Sequence, residues 1–118
     1  MLDVIRVVTT ADAIGSIASD GVVLQIAPDE ALVLDATDVA VDDEHAITVA
    51  DDGHVGVQLP REELEAWCRR EAEWELPSLV SYFTQGMVAG LAVKIWVNGD
   101  TALVLCRTSL GRDLGERL

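Results

Sequence analysis

The chain holds two imidazoles, His45 and His54, and they stand on either side of Asp51-Asp52-Gly53 with Glu44 next to the first. Imidazole nitrogens with carboxylates nearby are a donor set for a divalent metal. The same residues also suit the solvated mouth of a hairpin, where polar groups keep their water. His45 and His54 are therefore weak metal candidates, and no metal is assigned.

The two thiols, Cys68 and Cys106, lack metal-ligand spacing and are too few for a disulfide framework, which points to a reducing compartment. Cys68 falls in mid-helix among apolar neighbours. Burial there raises a thiol's pKa, whereas a nucleophile needs a helix N-terminus or a cationic neighbour. Arg69 and Arg70 follow it but point away from that face. No Gly-x-Ser-x-Gly elbow exists, and neither histidine has a neighbouring serine to activate. Gly86-Met87-Val88-Ala89-Gly90 matches GxxxG, a close-packing motif only inside a membrane span, and reads here as a turn into a strand. No phosphate-cradling loop followed by Lys and Ser/Thr is present. No catalytic residue is assigned. Of the aromatic residues, Trp67, Phe83 and Trp96 are expected in the core, with Trp74 and Tyr82 the best placed to reach a partner surface.

What must position these residues is bounded by size and charge. With 118 residues the chain fits one domain, spanning 1–118, that buries about two-thirds of its unfolded surface. Twenty-one Asp and Glu oppose eight Lys and Arg, a formal charge of -13, and Lys94 is the only lysine. Nucleic-acid affinity depends on Lys and Arg releasing condensed counterions, so nucleic acid and anionic lipid are excluded as partners. Such a surface suits a cytoplasm of high salt, where screening relieves self-repulsion, and equally an ordinary acidic bacterial protein. The first ten residues carry Asp3 and Arg6 in a β-branched run, unlike a signal peptide. Residues 76–93 hold no charge, but Pro77, several hydroxyl side chains and two glycines interrupt them, so no membrane span is expected. A cytoplasmic chain follows.

The pattern predicts a strand over 2–9, then a short helix or turn over 11–19. Apolar runs 21–27 and 31–35 around Pro28-Asp29-Glu30 read as a hairpin. Residues 35–44, with five acids, read as a solvated connection. Runs 46–50 and 54–59 around Asp51-Asp52-Gly53 read as a second hairpin. Pro60 suits a first helical turn, and Glu62, Glu63 and Glu65 favour its positive end. A helix should then run to about Glu75, gathering Leu64, Trp67, Cys68, Ala72 and Leu76 on one face before Pro77 ends it. Residues 78–85 suggest a second short helix. Runs 91–97 and 101–106 around Asn98-Gly99-Asp100 form a third hairpin, and Thr108 caps a closing helix over 109–118. The fold class is α+β: an antiparallel sheet of about seven strands in hairpins, with two to three helices packed on one face.

Three stretches carry a resemblance. Aliphatic runs meet at Ala27-Pro28-Asp29-Glu30-Ala31 within residues 22–34. Residues 46–59 form the next ribbon, followed by a helix ending at Glu75-Leu76. Residues 91–118 then lead through Arg107-Thr108-Ser109 into the closing helix. Together they resemble the gamma subunit of heterotetrameric sarcosine oxidase, within the wider group similar to the folate-binding aminomethyltransferase of glycine cleavage. Ala27 and Ala31 stand where that family favours glycine and tryptophan. The resemblance implies a non-catalytic accessory subunit that binds no cofactor by itself and packs on larger subunits bearing flavin or handling folate. Two alternatives remain: a stand-alone folate-binding protein of the aminomethyltransferase type, and an acidic, self-associating structural or regulatory module.

Overall fold

The computed structural model describes residues 3–118, so Leu2 of the first expected strand lies outside it. The chain divides into two compact units, one ending at Asp52 and the other running from Gly53 to Leu118. Every strand pair among the described residues is antiparallel, and two short α-helices accompany the sheets. The α+β class thus holds, with ten strands where about seven are expected.

In the first unit β1 (Val4–Val8) is followed by a 3-10 turn (Ile14–Ser16) and the two-residue strand β2 (Ala18–Ser19). Next come β3 (Val22–Ala27), β4 (Glu30–Leu34), β5 (Val39–Ala40) and β6 (Ile47–Ala50). A four-stranded sheet is ordered β3-β4-β1-β6, and β2 pairs separately with β5. The first hairpin forms as expected, Ala27 opposite Glu30 across Pro28-Asp29, with a register irregularity between Gln25 and Ala27. Ala31, Leu32, Val33 and Leu34 are all buried, together with Val4, Val7 and Leu24.

The acidic connection 35–44 is held by the carboxylates of Asp20, from outside it, and of its own Asp43. Asp20 accepts from the Thr37 hydroxyl at 2.5 Å and from the Thr37 and Asp38 amides at 3.0 and 3.1 Å. Asp43 accepts from the Thr9 hydroxyl at 2.6 Å and from the His45 amide at 2.9 Å. These side-chain bonds supplement the short β2–β5 ladder, Ala18 opposite Ala40 and Ser19 opposite Val39.

The second unit contains β7 (His54–Pro60), α1 (Arg61–Glu71), β8 (Ser81–Val88), β9 (Leu91–Asn98), β10 (Thr101–Arg107), a 3-10 turn (Thr108–Leu110) and α2 (Gly111–Arg117). Its sheet is ordered β7-β10-β9-β8. Along β9, Leu91, Val93, Ile95 and Val97 are buried while their neighbours are less so, the period-two signature of one apolar face. These four share a buried cluster with Tyr82 and Val88, with Ala102, Val104 and Cys106, and with Leu64, Trp67, Cys68 and Leu114 from the helices. The β8–β9 connection turns on Ala89 and Gly90, whose φ values of 53° and 79° are both positive. A type I′ hairpin requires that geometry, and it matches the twist of the strands. The third hairpin forms around Gly99, as expected.

Three expectations are corrected. Asp51-Asp52-Gly53 is no hairpin loop: β6 pairs with β1, and β7 pairs with β10. An Asp-Gly pair lets the chain turn but does not choose a strand's partner. The seven residues of β7 find a full-length partner in β10, whereas β6 has only four to give. Residues 78–85 supply most of β8 instead of a helix, because Tyr82 and Val88 alternate inward against β9. Helix α1 ends at Glu71, with the Ala72 amide donating to the Cys68 carbonyl, so Pro77 plays no part in stopping it.

Candidate functional site

A cleft of about 760 Å³ lies between α1 and the irregular segment 72–80. Its helical wall starts at Arg61, directly after Pro60, whose extended backbone leads into the first helical residue. The Arg61 amide donates to the Asp100 carbonyl at 2.8 Å. The Arg61 side chain then becomes the brace of the loop. Its Nε donates to Glu65 at 2.7 Å, Nη2 to the Leu79 carbonyl at 2.7 Å, and Nη1 to the Val80 and Gly99 carbonyls at 3.0 and 3.2 Å. Its Cζ lies 5.8 Å from the centroid of the Tyr82 ring. A planar, multi-donor guanidinium can tie one loop to a helix and a hairpin turn in this way, and an ammonium cannot.

The braced loop carries apolar side chains outward: Leu79 is 60% and Val80 76% exposed. At the other end of the segment Trp74 is half-buried, and its indole N–H donates to the Met87 carbonyl at 2.8 Å. Within the cleft wall, burial pushes the Cys68 thiol up to about 11. Burial likewise raises the Tyr82 phenol, opposed by the Arg61 charge. Neither group is primed for nucleophilic or acid-base work near neutrality. The cleft therefore offers shape, apolar surface and a mixed charged rim of Arg69 with Glu65, Glu73 and Glu75, a recognition chemistry. Cys68 and Cys106 are both free and buried.

Of the residues chosen from sequence, Trp74 sits on the cleft and Tyr82 is buried beneath Arg61, where its hydroxyl has no hydrogen-bond partner. Trp67 is buried in the cluster, while Phe83 and Trp96 are half-buried. His45 is exposed in the first unit, 3.4 Å from Glu44, and His54 begins β7 in the second. They do not share a hairpin. No group of three or more His, Cys, Asp or Glu side chains suited to a metal occurs among the described residues. The structural role of Arg61 escaped the sequence, although an arginine directly after a proline that starts a helix was a usable signal.

No described helix is long and apolar enough to cross a membrane, and the uncharged stretch 76–93 falls in a loop and two strands. Comparison with known proteins finds no family model, curated protein or solved structure that matches the chain.

Proposed function

We propose that the chain is a non-catalytic accessory subunit, resembling sarcosine oxidase gamma, that packs on a larger flavin-dependent oxidoreductase of one-carbon or methylated-amine metabolism. The observation that carries this reading is the loop Leu79–Val80. Apolar side chains exposed on a mobile loop would mean little, but here four hydrogen bonds from Arg61 hold the loop's backbone and its neighbours in place. A fixed, exposed apolar pair beside a cleft supports a protein-binding surface. In this reading α1 and α2 cover one face of the second unit's sheet, supported by Leu64, Trp67, Cys68 and Leu114 sharing a buried cluster with β8, β9 and β10. Flavin and folate belong to the partner, and the complex works in the cytoplasm, where both thiols stay reduced. The test is affinity isolation of tagged chain from its native cells, read by stoichiometry and flavin absorbance. A larger flavoprotein in fixed ratio, lost in the Leu79→Ser/Val80→Ser variant, is expected; recovery of the chain alone overturns the reading.

One observation favours the stand-alone folate reading: a cleft of about 760 Å³ falls within the roughly 300–1,000 Å³ range of small-molecule sites. Titration calorimetry with tetrahydrofolate tests it, and absence of heat at millimolar ligand overturns it.

A further inference from the structure

The accessory-subunit reading leaves open how the first unit takes part, and one edge of its sheet differs from the other. β3 closes one side with a register irregularity between Gln25 and Ala27, followed at once by Pro28. Bulges and prolines are the usual means of making an edge unfit for further pairing. β6 closes the other side with no such device. Its four residues, Ile47-Thr48-Val49-Ala50, contain no lysine, proline or glycine, all are exposed, and among the described residues no strand pairs with its outer side. Ile47 is 56% and Val49 48% exposed.

The register shows what an added strand would meet. Val49 lies opposite Arg6, Arg6 opposite Leu32, and Leu32 opposite Leu24. Directly opposed residues of an antiparallel sheet share a face, so Val49 stands beside exposed Arg6, with Leu32 and Leu24 buried farther along the same row. Ile47, two residues away, projects to the same side. Aliphatic residues placed opposite Val49 and Ile47 by a fifth strand would cover this exposed pair.

Charge selects the occupant. Asp42, Asp43 and Glu44 precede β6, and Asp51 and Asp52 follow it. Up to Asp52 the unit carries twelve Asp and Glu against Arg6 alone, whereas from Gly53 onward nine acids face seven Lys and Arg. Nearly all the net charge is therefore concentrated on the unit that presents the open edge. A second copy brings the same charge to the same place and is repelled, while a basic strand is attracted and oriented.

We propose that β6 is a strand-addition site for an extended segment of a partner protein in which aliphatic residues alternate with Lys or Arg. Backbone hydrogen bonds supply the pairing, and alternate side chains with flanking charges supply selectivity. This deepens the accessory-subunit reading and rests on it for the partner's existence.

The probe is a synthetic peptide alternating valine and lysine, titrated into the full ¹⁵N-labelled chain. Amide shifts concentrated in β6 and β1 are expected, with binding at least about tenfold weaker for a peptide of equal charge in which proline replaces valine. The Ile47→Lys/Val49→Lys variant, altered only at exposed positions, should lose binding by a similar factor. Equal binding of the proline peptide, undiminished binding by the variant, or shifts spread over the whole acidic surface would overturn the proposal. So would dimerisation through β6 in sedimentation, which would make the occupant a second copy. If the chain has a native partner that the lysine variant still recruits in full, the edge site fails and the accessory role stands. If no native partner exists yet the peptide seats on β6, the accessory role fails and the edge site stands.

Discussion

The indole of Trp74 closes on Gly86 so tightly that a Cβ at that position would come within 2.5 Å of the ring. Its N–H meanwhile donates to the carbonyl of the next residue, Met87. Glycine is thus required in mid-strand by an approaching aromatic ring, and Trp74 fastens the irregular segment 72–80 to β8. Gly86→Ala should displace the indole and lower stability by about 1–3 kcal/mol, the usual cost of overpacking. Trp74→Phe should cost about 0.5–1.5 kcal/mol through the lost hydrogen bond. Urea denaturation checks both; an unchanged midpoint for Gly86→Ala would show that the ring does not hold this position.

That contact also explains part of what sequence could and could not convey. Turns with local chemistry were legible: Pro28-Asp29 and Asn98-Gly99 each join the strands expected of them. Gly86 misled, because a glycine among Ser, Thr and Gln resembles a break in a pattern, and the reason for it lies twelve residues upstream in Trp74. Asp51-Asp52-Gly53 misled differently: the turn is local, but the choice between β1 and β10 as partners depends on residues about forty to fifty positions away. The cleft was illegible for the same reason. It depends on Arg61 reaching carbonyls at Leu79, Val80 and Gly99, which composition and periodicity do not encode.

Arg61 supplies the second prediction. Arg61→Ala removes donors from the Leu79, Val80 and Gly99 carbonyls and leaves Glu65 with Arg69 alone, 3.9 Å away. A loss of about 1.5–3 kcal/mol is expected, as for hydrogen bonds to a charged group. Arg61→Lys should recover only a minor part, since an ammonium cannot span three carbonyls at once. Hydrogen exchange should show faster amides in segment 78–81 for both variants, and unchanged exchange there would remove Arg61 as the brace.

Thiol chemistry provides a third test. With Cys68 raised to about 11 by burial, and Cys106 also raised by burial, neither contributes appreciable thiolate at pH 8. Native chain should react with a disulfide reagent at a small fraction of the rate of urea-unfolded chain, which should release two equivalents. Rapid native labelling of Cys68 would mean that the cleft wall opens.

Asp20 gives a prediction on pH. Its hydrogen bond from the Thr37 hydroxyl, then those from the Asp38 and Thr37 amides, lower its carboxyl from 3.8 to about 2. A depressed folded-state pKa stabilises above the unfolded value and ceases to do so as pH falls through the folded one. The contribution of Asp20 is therefore present above about pH 4 and lost towards pH 2. Asp20→Asn should flatten that limb of the stability profile, read by urea denaturation between about pH 2 and 4. A direct carbon-detected titration of Asp20 near 3.8 would refute the assignment.

The last prediction follows from the uneven distribution of charge. Twelve acids on residues 3–52 are offset by Arg6 alone, which is held by Glu30 on the adjacent strand β4. Repulsion among like charges on one small unit opposes its compact state, and salt shortens the reach of that repulsion from about 10 Å at 0.1 M to about 3 Å at 1 M. The second unit is close to balanced, so the same salt does little for it electrostatically. Moving from 0.1 to 1 M sodium chloride should slow hydrogen exchange of the β1, β4 and β6 amides more than that of β9 and β10. Sulfate and other strongly excluded ions also strengthen apolar burial, in both units alike, so sodium chloride against an equally concentrated neutral osmolyte separates the two effects. If β9 and β10 gain as much protection as β1 and β4, charge repulsion is not what limits the first unit, and its acids serve recognition at β6 alone.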